Sequence, residues 1–232
     1  LALTAAPTLA DAIATRRLLR DIAAEAGRSP DAVKVIAPVL PVVADTDADA
    51  RRIVERLLAL VPLAEGHQAT RTAFPPNRTV AAFADAFDVA ADDPLRASEF
   101  DRPVMAAEAQ RLGERGSALI ERLAGIAGLR VSGAGVTTGD PLTWRHLVAA
   151  NAVPAAFVVG DARTIADHFE TWRDEGAADG FNVLSAFQPA QFEAFTRQAA
   201  PELRRRGLLR HATESEGATL RDRLRISSYV DA

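Results

Sequence analysis

Uncharged polar and small side chains that follow apolar, strand-like segments are the residues best placed to contact a ligand. Asn182 and Ser185 lie in and just after one such segment, and Thr4, Ala5 and Ala6 follow the short apolar opening of the chain. Amide and hydroxyl groups can hydrogen-bond a ligand without adding charge. Ligands of parallel α/β proteins bind where the strands end. These five residues are therefore predicted to face a site, and none is predicted to be catalytic.

Metal, phosphate and hydrolase sites receive little support from the sequence. The chain has no cysteine and four widely separated histidines, His67, His146, His168 and His211. None has a second ligand at a metal-binding spacing, so no metal is expected, and His168 is predicted as a helix-surface or rim residue and not as a general base. The glycine-rich residues 133–139 miss the spacing of a G-x-G-x-x-G loop, which favours a flexible turn over an anion site. No G-x-S-x-G motif supports a serine hydrolase.

The composition is typical of a globular protein with a sizeable hydrophobic core. The chain has 232 residues, of which 48% are hydrophobic and 25% charged, and its formal net charge is −4. This charge gives no electrostatic basis for nucleic-acid binding. The three arginines at residues 204–206 are expected at a solvated helix end. Neither a long apolar run nor a signal-like start is present, so no membrane partner and a cytoplasmic location are predicted.

Residues 157–184 predict a strand, a helix and a second strand in succession. Asp161 can cap the helix, and Ile165, Phe169 and Trp172 recur at the spacing of one buried helical face. The following G-A-A-D-G ends the helix and turns the chain into a short apolar segment, which is typical of a buried parallel strand. A helix that leads into a parallel strand indicates a barrel or doubly wound α/β fold.

Capping residues, apolar spacing and prolines predict the remaining elements. Pro38 and Pro41 lack amide hydrogens, so the strand that begins near Val33 is expected to end near Pro38. Asp140 and Pro141 predict the start of a short helix. Helices are expected over residues 9–26, 45–60, 105–124, 142–150 and 191–206.

Residues 61–150 differ in proline content and sequence pattern from the rest of the chain. Prolines punctuate the first part of this region, at Pro62, Pro75, Pro76, Pro94 and Pro103. This pattern favours a long irregular insertion with short helices over regular strands and helices of the core. We therefore predict one domain over residues 1–232 that contains a helical and irregular insertion over residues 61–150.

Both ends of the chain carry patterns that match one family. Residues 158–182 read V-V-G-x-x-x-x-I-A-D-x-x-x-x-W-x-x-x-G-A-A-D-G-F-N, followed by P-E-L-R-R-R-G-L at 201–208 and G-A-T-L-R at 217–221. At the other end, residues 3–9 read L-T-A-A-P-T-L and residues 27–31 read G-R-S-P-D. These segments resemble the luciferase-like flavin-dependent monooxygenases, in particular the branch of the nitrilotriacetate, dibenzothiophene-sulfone and pristinamycin-type monooxygenases. The resemblance is weak in the middle of the chain.

This resemblance implies a fold, a cofactor and partners. The fold would be α/β, with about three strands forming the C-terminal part of a TIM-type (β/α)8 barrel whose N-terminal strands are absent from the chain. Proteins of the family use reduced FMN, supplied by a separate flavin reductase, and O2 to oxygenate a small-molecule substrate. The family's principal flavin contacts precede the first residue of this chain. No cofactor-binding residue is therefore carried over.

Two interpretations of function follow from the resemblance. In the first, the chain is the C-terminal portion of an FMN-dependent monooxygenase and needs the missing N-terminal half of the barrel. The alternative is a non-catalytic remnant or interaction subunit that cannot bind flavin alone. In either case a few strands cannot close a barrel, and the exposed edges and apolar face predict self-association. A flavin- or deazaflavin-dependent dehydrogenase of the same superfamily is a weaker third possibility.

Overall fold

The chain divides into a unit that contains a sheet and a unit of helices. The computed structural model describes residues 1–61, 79–89, 100–133, 140–153, 155–210 and 219. One unit comprises Leu1–Ala50 and Pro154–Ala232, and the other comprises Arg51–Val153. The predicted organisation, a single domain with an insertion over residues 61–150, stays a prediction.

The first unit is built on a parallel sheet of four strands, one more than the three or so expected. The strands are β1 (Ala2–Leu3), β2 (Val35–Val43), β3 (Ala156–Gly160) and β4 (Gly180–Val183). Ile36 of β2 pairs with β1 and β4, and Val39 pairs with β3 and β4. Two partners of one residue lie on opposite edges of its strand. β4 therefore occupies one edge of β2, and β1 and β3 share the other.

β2 continues past both of its prolines, so the prediction that it ends near Pro38 is wrong. Pro38 lies where the pairing of β2 passes from β1 to β3. Pro41 lies beyond Val39, the last residue of β2 that pairs with β4. A proline is tolerated in a strand where no ladder hydrogen bond needs its missing amide hydrogen. The pairing of neighbouring strands therefore decides how far β2 extends.

Nine helices are described in the residue ranges given above. They are α1 (Leu9–Glu25), α2 (Asp47–Leu60), α3 (Thr79–Phe87), α4 (Ala106–Arg111), α5 (Gly113–Ala127), α6 (Trp144–Asn151), α7 (Ala162–Asp174), α8 (Ala190–Ala194) and α9 (Ala200–Arg205). A π-helical stretch, Phe195–Ala199, joins α8 to α9. Among the residues described, no helix has both the length and the apolarity that would be needed to cross a membrane.

α7 forms as the sequence predicts and covers one face of the sheet. The Asp161 carboxylate accepts hydrogen bonds from the backbone amides of Arg163 and Thr164, both at 2.9 Å. Ile165, Phe169 and Trp172 are all buried. The core on this face of the sheet also includes Val39, Val43, Val158, Ala199 and Leu203. Cap and apolar spacing together therefore fix both the start of α7 and the face that it buries.

Two helix predictions in the second unit are wrong in detail. The helix expected over residues 105–124 is interrupted at Gly113, whose φ of 64° breaks the helical run between α4 and α5. Asp140 is not the cap of α6, since its carbonyl accepts the Arg130 amide hydrogen in an extended pairing. Thr143 is the N-cap instead. Pairing with a distant segment therefore overrides the local capping signal.

Candidate functional site

The predicted site residues lie toward the carboxyl ends of β1 and β4, on either side of β2. Asn182 pairs in register with Pro38 of β2. Thr4 follows β1, and its backbone amide donates to the Ile36 carbonyl at 3.1 Å. Adjacent strands lie about 4.8 Å apart, so Thr4 and Asn182 are separated by roughly two strand spacings, or about 10 Å. The sheet thus brings the two predicted groups to the same level along β2.

The three residues after β1 differ in their exposure. The Thr4 hydroxyl makes a 3.4 Å contact with the Ile36 carbonyl, and Ala5 is exposed. Ala6 is only 2% exposed and packs in a core cluster with Ala12 and Trp172. Ala6 is therefore a packing residue in this unit, while Thr4 and Ala5 keep access to solvent.

The residues in and after β4 provide a mixed polar and apolar surface. Asn182 is exposed, Val183 is 37% exposed and Phe187 is 40% exposed. The Ser185 hydroxyl donates to the Phe187 carbonyl at 2.9 Å. Ser185 therefore shapes the turn that leads to Phe187, and the Asn182 amide offers both donors and an acceptor for a ligand.

One face of the sheet is open in this unit. Leu3 is 71% exposed, and its register partner Ile36 is half-buried. Because side chains alternate between faces along a strand, Pro38, Leu40 and Asn182 lie on the same face as Ile36. Residues on the opposite face, such as Val39, are fully buried under α7. Asn182, which is predicted to face a site, therefore lies beside an apolar surface.

Gln191 is a buried polar residue at this end of the sheet that the sequence analysis did not identify. Its side chain is the only polar one that is buried among the described residues, and the residue is 5% exposed. Its Oε1 accepts the Val43 amide hydrogen at 2.9 Å, and its Nε2 donates to the Val43 carbonyl at 3.1 Å. Leaving these backbone groups unpaired would cost about 1–3 kcal/mol each. No sequence signal marks a glutamine at the start of a helix for such a role.

A group of hydrogen bonds also connects the segments that follow β2 and β3; this group is called the junction below. The Asp47 carboxylate accepts hydrogen bonds from the Asp161 amide at 2.9 Å and from the Thr164 hydroxyl at 3.1 Å. A Cβ atom on Gly160 would lie 2.5 Å from the same carboxylate oxygen, so the close approach of the chains requires glycine here. The junction consists of satisfied hydrogen bonds and holds the start of α2 to α7.

The two histidines that the structure describes lie on helices, His146 on α6 and His168 on α7. The His146 Nδ1 lies 3.0 Å from the Thr143 amide nitrogen and accepts its hydrogen. Burial and the neighbouring Arg145 lower the pKa of His146. His168, predicted as a helix-surface or rim residue, is half-buried on α7 and stacks on Trp172 with ring centroids 5.1 Å apart. His67 and His211 lie outside the described residues, as do residues 134–139 of the glycine-rich segment.

The predicted residues that keep access to solvent fit part of a flavin better than the whole of it. Asn182 and its apolar surroundings suit an uncharged ring system with hydrogen-bonding edges. The set contains no cation and so has no direct partner for a phosphate. Within the described ranges, no three His, Asp or Glu side chains are grouped in a way that could hold a metal ion.

The parallel sheet, whose strands alternate with helices along the chain, places the protein in the α/β class. Residues 1–179 match the family described as luciferase-like monooxygenase. The chain therefore belongs to the luciferase-like monooxygenase family, as the patterns at its two ends indicated.

Individual relatives agree with the branch named from the sequence. Nitrilotriacetate monooxygenase component A of Aminobacter aminovorans is 30% identical over 95% of this chain and 43% of its own length. A pristinamycin IIA synthase protein of Streptomyces pristinaespiralis is 32% identical over 87% of this chain and 40% of its own length. Dibenzothiophene-sulfone monooxygenase of Rhodococcus erythropolis is 30% identical over 94% of this chain and 43% of its own length. The chain thus spans about two fifths of these relatives.

Comparison with solved structures supports the fold class. The crystal structure of DmoA from Hyphomicrobium sulfonivorans superposes with a TM-score of 0.62 at 22% identity. The match covers 97% of this chain and 40% of that structure. At this identity the likeness shows a shared α/β fold. The placement of this chain as the last part of a barrel stays a prediction.

Proposed function

We propose that this chain forms the C-terminal part of an FMN-dependent monooxygenase. In this proposal the complete enzyme receives reduced FMN from a separate flavin reductase, uses O2 and oxygenates a small organic substrate. The observation that carries the proposal is the exposed Asn182 beside an apolar surface at the carboxyl edge of a parallel sheet, in a chain of the luciferase-like family. The cofactor would supply the oxygen chemistry, which no protein side chain provides.

The protein's own residues would bind and orient the flavin ring. The Asn182 amide would hydrogen-bond the polar edge of the ring, and exposed Phe187 would cover part of its apolar surface and keep water away. The phosphate would be bound outside this set of residues, by the N-terminal half of the barrel.

The open face of the sheet supports the need for that second half. Leu3 is 71% exposed on this face, which also carries the exposed Asn182 on the other side of β2. Sheets with an uncovered apolar face and free edges associate with other chains. We propose that the N-terminal barrel half covers this face in the complete enzyme, which would be cytoplasmic. Alone, the chain would self-associate.

The first experiment is the intact mass of the protein expressed from its native locus, followed by flavin binding. If the product includes a preceding barrel half, it should bind reduced FMN anaerobically and consume O2 when a flavin reductase and NADH are added. Asn182→Ala should weaken reduced-FMN binding about tenfold, the effect of roughly one lost hydrogen bond to a ligand. Thr171→Ala, on the exposed surface of α7 behind the sheet, is the matched control. It should leave reduced-FMN binding unchanged.

The exposed apolar face also favours the alternative function, that of a non-catalytic protein that acts through interaction with other chains. A native product with the mass of these 232 residues alone that does not bind reduced FMN would reject the monooxygenase proposal. Size-exclusion chromatography with light scattering would then show whether the chain associates with itself or requires another protein.

A further inference from the structure

The Gln191 side chain pairs with β2 in the way that a further strand residue would. Its amide exchanges two hydrogen bonds with the backbone of Val43, at 2.9 and 3.1 Å. Val43 is the last residue of β2. A strand ladder uses the same donor and acceptor pair at alternate residues, so Gln191 substitutes for a neighbouring strand at the carboxyl end of β2.

The position of this pairing follows from the edge that β4 occupies. The Leu184 amide donates to the Val39 carbonyl at 2.8 Å, which is the last backbone contact of β4 with β2. Two residues further along the same edge, Pro41 offers no amide hydrogen. Two residues beyond that, Val43 needs both a donor and an acceptor. Gln191 supplies them where β4 no longer reaches.

The segment between these two contacts is therefore tied to β2 at both ends. Leu184 is bound at Val39 and Gln191 at Val43, four residues apart on β2, which corresponds to about 13 Å. The six intervening residues, 185–190, must span this distance and project from the carboxyl edge of the sheet. They include Ser185, whose hydroxyl bonds the Phe187 carbonyl, and the exposed Phe187, which the proposed flavin site uses.

We propose that Gln191 is a positioning residue for the flavin site. By holding the far end of the segment 185–190 against β2, it fixes where Phe187 meets the planar isoalloxazine ring. This inference rests on the proposed function for its ligand. That Gln191 fastens the segment to β2 does not depend on the proposed function, because it is inferred from the hydrogen bonds between Gln191 and Val43.

The test compares two glutamines near the same end of the sheet. Gln191→Leu removes both hydrogen bonds to Val43 and keeps much of the side-chain volume. Gln198→Leu is the matched control, because Gln198 donates at 3.1 Å to Asp45, just after β2, but at an exposed position. Hydrogen exchange by mass spectrometry on the native gene product follows the amides of residues 184 and 191, which donate to the Val39 and Phe187 carbonyls at the two ends of the segment. Anaerobic titration with reduced FMN reports ligand binding.

We expect Gln191→Leu to raise the exchange of the amides of residues 184 and 191 at least tenfold and to weaken reduced-FMN binding about tenfold, with α7 exchange unchanged. Gln198→Leu should change neither. Unchanged exchange in the segment would overturn the proposal, as would raised exchange with unaltered FMN affinity. If the unmodified protein does not bind reduced FMN, the proposed function fails, and the exchange data alone then decide whether Gln191 fastens the segment.

Gln191→Glu provides an independent readout if the leucine variant does not fold. A protonated glutamic acid offers one donor and one acceptor, as glutamine does, whereas the ionised form cannot donate to the Val43 carbonyl. Exchange of the amides of residues 184 and 191 should therefore match the unmodified protein at low pH and rise as the carboxyl group ionises, after correction for the intrinsic pH dependence of exchange. A segment whose exchange in this variant follows that of the unmodified protein at every pH would contradict the proposal.

Discussion

His168 is expected to make the free energy of unfolding depend on pH. Its ring stacks on Trp172 and lies edge-on to Phe169, with ring centroids 5.1 and 6.2 Å apart. Its Nε2 atom is buried and has no hydrogen-bond partner. Burial lowers the pKa of His168 from 6.5 to about 4, because a protonated ring would lose its hydration without gaining a carboxylate.

The size and sign of the effect follow from this shift. Below pH 6.5 the unfolded chain binds a proton at this position, while the folded chain stays neutral until the pH approaches 4. Protonation therefore favours the unfolded state, and the stabilising contribution that is present above pH 6.5 is lost as the pH falls. Since one pKa unit corresponds to about 1.4 kcal/mol, the loss between pH 7 and pH 4 is about 3 kcal/mol.

Urea unfolding at several pH values, followed by tryptophan fluorescence, would measure this loss. His168→Phe removes the titrating group and keeps an aromatic ring beside Trp172. The difference in unfolding free energy between the unmodified protein and this variant should change by about 3 kcal/mol from pH 7 to pH 4. Arg163→Ala, an exposed change on the same helix, is the control and should leave the pH dependence as it is.

Two results would refute the reasoning about His168. One is the same pH dependence of unfolding in the unmodified protein and in His168→Phe. The other is an NMR titration of the folded protein in which the His168 ring protonates near pH 6.5. Either result would mean that the ring is hydrated or has a partner in the folded state.

Three further predictions concern contacts that hold the sheet and helices together. Asp179→Ala removes the acceptor of the Val35 amide at 2.9 Å and should cost about 1–3 kcal/mol in urea unfolding; equal midpoints would contradict this. Gly160→Ala places a Cβ within 2.6 Å of two side chains, so calorimetry should show a loss of about 1–3 kcal/mol, and an unchanged Tm would argue against the clash. Arg206→Gln, which removes a cation bound to three carboxylates, should lower Tm by about 2–4 °C. Arg205→Gln, at a mostly exposed arginine, should lower it less, and the reverse order would exclude the network as the cause.

The sequence predicted much of the element order but only part of the candidate site. α7 was predicted with its cap and its buried face, and α1 begins at Leu9, where the helix over residues 9–26 was expected to begin. Asn182 and Ser185 were placed correctly in and after a strand, although their role as site residues stays a prediction. Ala6 was grouped with them because it follows β1, but its small side chain packs into the core. Position along a strand indicates which edge a residue is near and does not indicate whether it is covered.

The features that sequence alone determined are those set by neighbouring residues. An N-cap bonds amides two and three residues ahead, and a buried helical face repeats every three or four residues, so both can be inferred from a short window. Tertiary structure decided the rest. β2 extends past its prolines because of where other strands pair with it, and Gln191 meets Val43 across 148 residues of chain. Such contacts depend on which strand edge is left unpaired after the sheet has assembled. A short window of sequence does not predict which edge this is.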